Sequence, residues 1–161
     1  MKLGIDFGTT NTVISYFENN KIKLLEIDNK FLIPSKILIN KENIICGHLI
    51  KNIKKESLLI ENFKIEIPNN KKYIFNNNIY STNDLIFYYF NYLSELIKNK
   101  FKKDNYDCVI SVPSNFNSSN RKIIKTILQK FNFNILRIIN EPTAAALYYE
   151  IHLNNKIENK I

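Results

Sequence analysis

The amino-acid sequence predicts an α/β fold, built from layers of strands and helices, and three observations support this prediction. Short β-like segments separated by turn residues fill the N-terminal part of the chain. Between residues 81 and 149, apolar runs typical of buried strands alternate with amphipathic helix patterns. The apolar fraction of 45% over 161 residues is enough for one domain, or for two small lobes that share a core.

The N-terminal part is predicted to form a series of short strands. Gly8 ends the first of them in a turn, and Asn19-Asn20 is a hairpin turn sequence between the next two. A further hairpin is predicted around residues 40–43. The predicted strands are residues 2–6, 12–18, 21–27, 37–39 and 44–45.

The middle of the chain carries weaker patterns. Residues 51–62 have a weakly helical distribution of apolar side chains, whereas residues 65–67 and 73–75 are β-like. Pro68 and a run of asparagines separate these segments, as turn residues do. We therefore expect a short helix and two short strands in this region.

A long helix is predicted from Ser81 to about Phe101. Ser81 stands three residues before Asp84, which is the spacing of a capping box with Asp in place of the preferred Glu. The cluster Lys98, Lys100, Lys102 and Lys103 falls at the other end of this helix, where cations interact favourably with the helix dipole.

The C-terminal third is predicted to be strand, helix, strand, helix. Residues 108–112 and 135–139 are apolar runs typical of buried strands. Ser118-Ser119 are predicted to cap the helix between these strands. The last helix is predicted to open at Pro142, since proline is tolerated in a first helical turn.

Composition excludes several classes of protein. The formal charge of +8 suggests nucleic-acid binding, but the lysines are spread along the chain and only two residues are Arg, so this class is disfavoured. Cys46 and Cys108 lie among Ile and Val, which predicts buried free thiols, and His48 and His152 are isolated. With no signal-like N-terminus and no apolar run of membrane-spanning length, we expect a cytoplasmic protein.

The segment Asp6-Phe7-Gly8-Thr9-Thr10-Asn11 is a candidate phosphate-binding loop. Gly8 allows the backbone to turn tightly and approach a ligand, and the following amides and hydroxyls are donors for phosphate oxygens. Asp6 at the strand end is suited to a hydrated Mg²⁺. A simple hairpin turn with β-forming threonines would give the same residues, so this loop alone leaves both alternatives open.

Glu141 is the second candidate site residue. It follows a predicted buried strand directly and stands at the start of a helix, where a carboxylate can order a water molecule or a metal-bound water near a phosphate. A plain acidic residue at a helix N-terminus is the alternative.

Together, the two segments closely resemble the DnaK-type chaperones, the seventy-kilodalton heat-shock class. The string Asn140-Glu141-Pro142-Thr143-Ala144-Ala145-Ala146 is highly specific for this family, and the segment 112–121 is similar to its VPAYFND-x-QR segment. Leu32-Ile33-Pro34-Ser35 looks like the family's proline–serine turn. This wording and the shortened middle lean toward the iron–sulfur-assembly branch. The resemblance implies an actin-like ATPase fold, related to ribonuclease H, with ATP and Mg²⁺ as ligands.

The resemblance also implies roles for individual residues. Asp6, with Gly8, Thr9, Thr10 and Asn11, would carry the first phosphate loop, and Glu141 the catalytic water and, with Asp6, the Mg²⁺. A family lysine that contacts the γ-phosphate has two rivals here, because Lys64 fits its spacing and Lys54 its local pattern. Pro113 and Arg121 match the pair that passes the nucleotide state to the peptide-binding domain.

The expected organisation is half of a nucleotide-binding domain. Residues 1–35 and 105–150 would form the core of the first lobe, residues 36–104 a small inserted α+β subdomain, and residues 151–161 a polar tail. The second lobe, with its phosphate loop and adenosine pocket, and the peptide-binding domain are expected to be absent from these residues.

Three functions remain open. The leading one is a chaperone-type ATPase lobe, truncated or completed by a second chain, with ATP or ADP, a J-domain co-chaperone and client polypeptides as expected partners. The second is a docking module without catalysis, or a decaying gene fragment. The third is an actin-like filament protein.

Overall fold

A computed structural model describes the backbone of residues 1–158 and the side chains of residues 1–150. Within this part of the chain it contains eleven strands and three helices. The helices are α1 (Thr82–Phe101), α2 (Ser118–Gln129) and α3 (Glu141–Glu158). The strands are β1 (Lys2–Phe7), β2 (Asn11–Glu18), β3 (Lys21–Leu24), β4 (Ile33–Pro34), β5 (Lys36–Asn40), β6 (Ile44–Cys46), β7 (Ser57–Glu61), β8 (Lys72–Phe75), β9 (Asn78–Ser81), β10 (Tyr106–Val112) and β11 (Phe133–Asn140).

The main sheet has the order β11-β10-β1-β2-β3, with β4 paired to β2 at its edge. Strands β1, β10 and β11 are parallel to each other, whereas β2 and β3 are antiparallel to their neighbours. The crossovers between the parallel strands contain α1 and α2, as expected for parallel pairing. The predicted α/β fold is confirmed.

One face of the main sheet is buried and the other is open. Along β1, the buried residues Leu3, Ile5 and Phe7 alternate with Gly4 and Asp6, because successive side chains of a strand point to opposite faces. The aromatic rings of α1 pack on the buried face; the Phe7 ring lies 5.1 Å from that of Phe90 and 5.9 Å from that of Tyr89, centroid to centroid. The open face therefore carries Gly4 and Asp6 of β1.

The segment between β4 and β10 contains a second sheet, in the order β6-β5-β7, and the hairpin β8-β9. Here two predictions were wrong. Residues 51–62 do not form a helix, because Ser57–Glu61 pair antiparallel with β5 and Ile60 is buried in the core. Residues 65–67 do not form a strand, because Phe63–Glu66 form a 3₁₀ turn that buries Phe63 and Lys64.

Asparagine builds most of the tight turns. Among the described residues, ten non-glycine residues have a positive φ angle, and eight of these are asparagines. Asn19 and Asn20 join β2 to β3, as predicted, and Asn76 and Asn77 join β8 to β9 in the same way. Consecutive left-handed residues give the hairpin turn that matches strand twist.

Side chains cap the first two helices. Ser81 and Asp84 form the predicted capping box of α1. The predicted cap of α2 was wrong by one residue: Asn117 is the N-cap, and its side chain exchanges hydrogen bonds with Asn120. Asparagine caps a helix as well as serine does, so Ser118 becomes the first helical residue.

The last helix begins at Glu141 and continues through residues 151–158 of the predicted tail, while residues 159–161 lie outside the described residues. None of the helices described is both long and apolar enough to span a membrane.

Candidate functional site

The loop between β1 and β2 forms a tight turn next to Asp6, near the end of β1. Its first amide, that of Gly8, donates a hydrogen bond to the Asp6 carbonyl at 3.0 Å, and a side chain at Gly8 would collide with the Asn11 carbonyl oxygen. The Ser35 amide donates to the Thr10 carbonyl at 2.8 Å from the neighbouring strand segment. The turn therefore requires glycine at position 8, and these two hydrogen bonds fix the loop at both ends.

Asp6 projects from β1 onto the open face of the sheet. Its side chain is exposed, and its Oδ1 accepts a hydrogen bond of 2.6 Å from Ser111 Oγ, on β10. Asp6 and Ser111 are register partners in the parallel pair β1–β10. The carboxylate is therefore oriented by a neighbouring strand and still faces solvent.

Glu141 and Lys64 meet at the start of α3. The Lys64 ammonium group forms an ion pair with Glu141 Oε1 and donates to the Phe7 carbonyl. The Lys64 side chain is 1% exposed, whereas that of Glu141 is 41% exposed. Lys64 Nζ also lies 5.2 Å from the centroid of the Phe7 ring. A buried cation is thus held by a carboxylate, a carbonyl and an aromatic face.

Lys54, the other candidate lysine, is not part of this ion pair. Lys54 lies in an exposed loop, where its carbonyl accepts a hydrogen bond of 2.5 Å from Ser57 Oγ. Of the two lysines, only Lys64 contacts Glu141. The 3₁₀ turn Phe63–Glu66 places it there, since Phe63 is buried against Phe7 and Tyr89, with ring centroids 6.1 and 5.6 Å apart.

A cleft of about 820 Å³ lies on the open face of the sheet. Asp6, Gly8 and Thr9 line it together with Ser111 and Glu141, and the remaining walls include the α3 residues Ala144, Ala145 and Tyr148. The predicted loop residues Thr10 and Asn11 do not line it. They line a second cavity of about 350 Å³ beside Ser35, Lys36 and Glu61.

Pro113 and Arg121 are not among the residues that line this cleft. Pro113 follows β10 and is half-buried. Arg121, on α2, donates from Nε to the Phe116 carbonyl at 3.0 Å and from Nη2 to Asn140 Oδ1 at 2.5 Å. Because Asn140 immediately precedes Glu141, Arg121 joins the segment after β10 to the strand end that carries Glu141.

The two cysteines are buried and free, as predicted. Burial raises the pKa of both thiols to about 12, so neither is a nucleophile at neutral pH. Among the described residues, His, Cys, Asp and Glu form no group of three or more that would ligate a metal directly. The side chain of His152 is outside the described residues.

Sequence reasoning missed three groups around the cleft: Ser111, the Phe7 carbonyl and Asn140 as a partner of Arg121. A serine inside the apolar run of β10 was the one available signal for the first. Nothing in the sequence pattern reveals a backbone carbonyl as the acceptor of a lysine.

Comparison with known proteins identifies the family. Residues 53–161 match the family model described as Hsp70 protein. The chain belongs to the Hsp70 family. The expected actin-like ATPase fold is therefore confirmed, because it is the fold of Hsp70 domains.

Relatives within the Hsp70 family match almost the whole chain. It is 33% identical, over 96% of its length, to the chaperone protein HscA homolog of Rickettsia felis, and it covers 27% of that protein. The identity is 31% to the chaperone protein DnaK of Mycoplasma mobile, over 99% of the chain and 27% of the relative. It is 32% to the chaperone protein HscA of Buchnera aphidicola, over 98% of the chain and 36% of the relative.

This Hsp70-family chain therefore spans about a quarter to a third of the length of these curated relatives. Proteins named HscA and proteins named DnaK match it at nearly the same identity. Sequence identity therefore does not distinguish a closer similarity to HscA proteins from one to DnaK proteins.

Proposed function

We propose that the chain is the ATP-binding first lobe of a DnaK-type chaperone, which couples ATP binding and hydrolysis to the binding and release of polypeptides. One observation carries the proposal: Asp6, the Gly8 turn and Glu141 line one cleft, and Lys64 is ion-paired to Glu141, although these residues are up to 135 residues apart in sequence. A hairpin turn or a helix N-terminus alone would not require this convergence.

The loop supplies the phosphate contacts in this proposal. Gly8 and Thr9 line the cleft, and the Thr9 backbone amide and hydroxyl are donors for phosphate oxygens. The absence of a side chain at Gly8 lets the phosphate approach the backbone closely. Thr10 and Asn11, which line the smaller cavity, would act by fixing the turn.

Two carboxylates at the cleft fit a hydrated magnesium ion, which prefers few protein ligands and several waters. Asp6 and Glu141 would hold it, because both face the cleft and both are accessible to solvent. When bound, magnesium neutralises charge on the phosphate oxygens.

Lys64 and Glu141 are proposed to act on the terminal phosphate and on the attacking water. Glu141 can orient a water molecule through its exposed carboxylate, and the paired ammonium group of Lys64 provides a fixed positive charge. Arg121 and Pro113 would transmit the state of this site, since Arg121 joins the segment after Pro113 to Asn140. A J-domain co-chaperone, a complementing lobe and client polypeptides are the proposed partners.

The direct test is calorimetric titration of the purified chain with Mg-ATP. Binding by the wild-type chain and at least about tenfold weaker binding by Asp6→Asn are expected, since removal of a carboxylate from a metal site has an effect of that order. Asp104→Asn, at an exposed ion pair with Lys98, is the matched control and should bind like the wild type. A folded chain with no detectable binding would contradict the proposal and support the docking module.

A further inference from the structure

Ser111 is a buried hydroxyl within the apolar strand β10. Its side chain is on the open face of the main sheet, at the residue directly opposite Asp6 in the β1–β10 pair. It is 6% exposed, whereas Asp6 is exposed. A buried polar side chain is stable where it has a hydrogen-bond partner. Here the partner is Asp6.

In the hydrogen bond between them, Ser111 Oγ donates to Asp6 Oδ1, at 2.6 Å. This distance is in the short range typical of hydroxyl donors to carboxylate oxygens. Among the described residues, Oδ2 of Asp6 has no hydrogen-bond partner. One oxygen is therefore fixed and the other is left for the cleft.

We propose that Ser111 is a positioning residue for Asp6: it fixes the carboxylate rotamer through Oδ1 and leaves Oδ2 available to the hydrated magnesium ion that Asp6 would hold. This inference rests on the proposed nucleotide site. An exposed aspartate at a strand end otherwise samples several rotamers, and ordering it on binding costs conformational entropy. Residues that orient metal-binding carboxylates typically change metal affinity 10- to 100-fold when they are removed.

The test compares Ser111→Ala with Ser111→Thr, which keeps the hydroxyl. The magnesium concentration needed for half-maximal ADP binding is measured by calorimetry at fixed ADP concentration. It should rise about tenfold in Ser111→Ala and change less than about twofold in Ser111→Thr. Ser94→Ala is the control, since Ser94 does not line the cleft and donates to the Asn91 carbonyl at 2.7 Å. An unchanged magnesium dependence in Ser111→Ala would overturn the inference.

A double-mutant cycle separates positioning from a general loss of structure. In the Asp6→Asn background, Ser111→Ala should cause no further loss of magnesium-dependent binding, because its effect acts through Asp6. An equal loss in both backgrounds would show that Ser111 acts on fold stability instead, and would overturn the inference.

A second readout does not depend on nucleotide. The side-chain rotamer of Asp6, measured by NMR three-bond couplings, should be single in the wild type and in Ser111→Thr and averaged in Ser111→Ala. Failure of the wild-type chain to bind Mg-ADP would overturn the proposed function, while rotamer averaging in Ser111→Ala would still support positioning by Ser111. A single Asp6 rotamer in Ser111→Ala would overturn the positioning role of Ser111.

Discussion

Lys64 is a buried cation whose partners come from two separate parts of the chain, at Phe7 and Glu141. Lysine is almost never fully buried unless it is paired, and here Glu141, the Phe7 carbonyl and the Phe7 ring surround the ammonium group. The two partners in the ion pair are unequal, because Glu141 remains 41% exposed. The carboxylate can therefore be hydrated without Lys64, whereas Lys64 has little access to water without Glu141.

This asymmetry predicts the effect of removing the carboxylate. Glu141→Ala should lower the free energy of unfolding by about 2 kcal/mol, between the values for exposed and for fully buried pairs. The double variant Lys64→Met/Glu141→Ala should be more stable than the sum of the two single changes predicts, because no uncompensated cation remains. Urea denaturation measures the free energy of unfolding of the two single variants and of the double variant. Glu150→Ala, an exposed acid on the same helix, should differ from wild type by less than about 0.5 kcal/mol. Additive effects would contradict this account.

At the scale of the secondary-structure elements, the ends of the helices are fixed by side chains. In α2 the cap is reciprocal: the Asn120 amide donates to the Asn117 side chain at 2.9 Å, and the Asn117 amide donates to the Asn120 side chain at 3.2 Å. Asn120 is 5% exposed, so its amide group has few alternative partners in water. The start of α2 is therefore specified by Asn117 and not by the serines that follow it.

Alanine substitutions at neighbouring positions should distinguish the cap from the first turn. Asn117→Ala should cost about 1 kcal/mol of stability, the usual value for loss of an N-cap. Ser118→Ala should have an effect below about 0.5 kcal/mol, because this side chain is exposed and does not cap the helix. Thermal denaturation of both variants checks the prediction, and equal losses would contradict the assignment of the cap.

These elements also show what the sequence could predict. Strong periodicity and turn chemistry specify β1–β3, α1, β10 and β11, so these were predicted with small errors at their ends. The strand β7 was missed because its apolar residues resemble one turn of a helix, and only pairing with β5 decides between the two structures. The 3₁₀ turn Phe63–Glu66 was missed for the same reason, since burial of Phe63 decides it.

Site residues can be predicted from sequence where the side chain has a fixed position in a motif. Asp6 and Glu141 were predicted in this way; both line the cleft, and their roles stay proposals. The sequence left Lys64 and Lys54 as alternatives, because the two criteria of spacing and local pattern disagreed, and the tertiary structure adds that Lys64 contacts Glu141. Ser111 could not be found, because its partner is 105 residues away and only strand register brings them together.

At the scale of the whole molecule, one hydrophobic cluster joins the main sheet to the inserted segment. It contains Phe7 and Cys108 from the main sheet and Ile37, Cys46 and Ile60 from the second sheet. The proposed subdomain of residues 36–104 is therefore separate in sequence but shares a hydrophobic core with the rest of the chain. A shared core favours a single cooperative unfolding transition.

The two cysteines can report on this cooperativity. At pH 8 both should resist iodoacetamide in the folded chain, because burial raises the pKa of each thiol from 9.0 to about 12. In increasing urea, single-thiol variants (Cys46→Ala and Cys108→Ala) should become reactive at the same midpoint. Labelling of Cys46 at clearly lower urea than Cys108 would show that the inserted segment unfolds separately.

The same pKa values give a dependence of stability on pH. The folded-state pKa of each thiol is raised, so the unfolded chain loses its thiol protons first. The contribution of these groups to stability is therefore complete below about pH 9 and declines as the pH rises toward 12. Replacing both cysteines by alanine should flatten this alkaline decline, as measured by urea denaturation between pH 7 and 10.

The asparagine turns have a consequence for how the protein ages chemically. Asparagine deamidates fastest when glycine follows it, because the unhindered glycine amide attacks the side chain to form a succinimide. The chain contains three glycines, and none of them follows an asparagine. Its hairpins thus obtain left-handed backbone from Asn-Asn pairs such as Asn19-Asn20 and avoid the sequence that would make each turn a site of spontaneous isoaspartate formation.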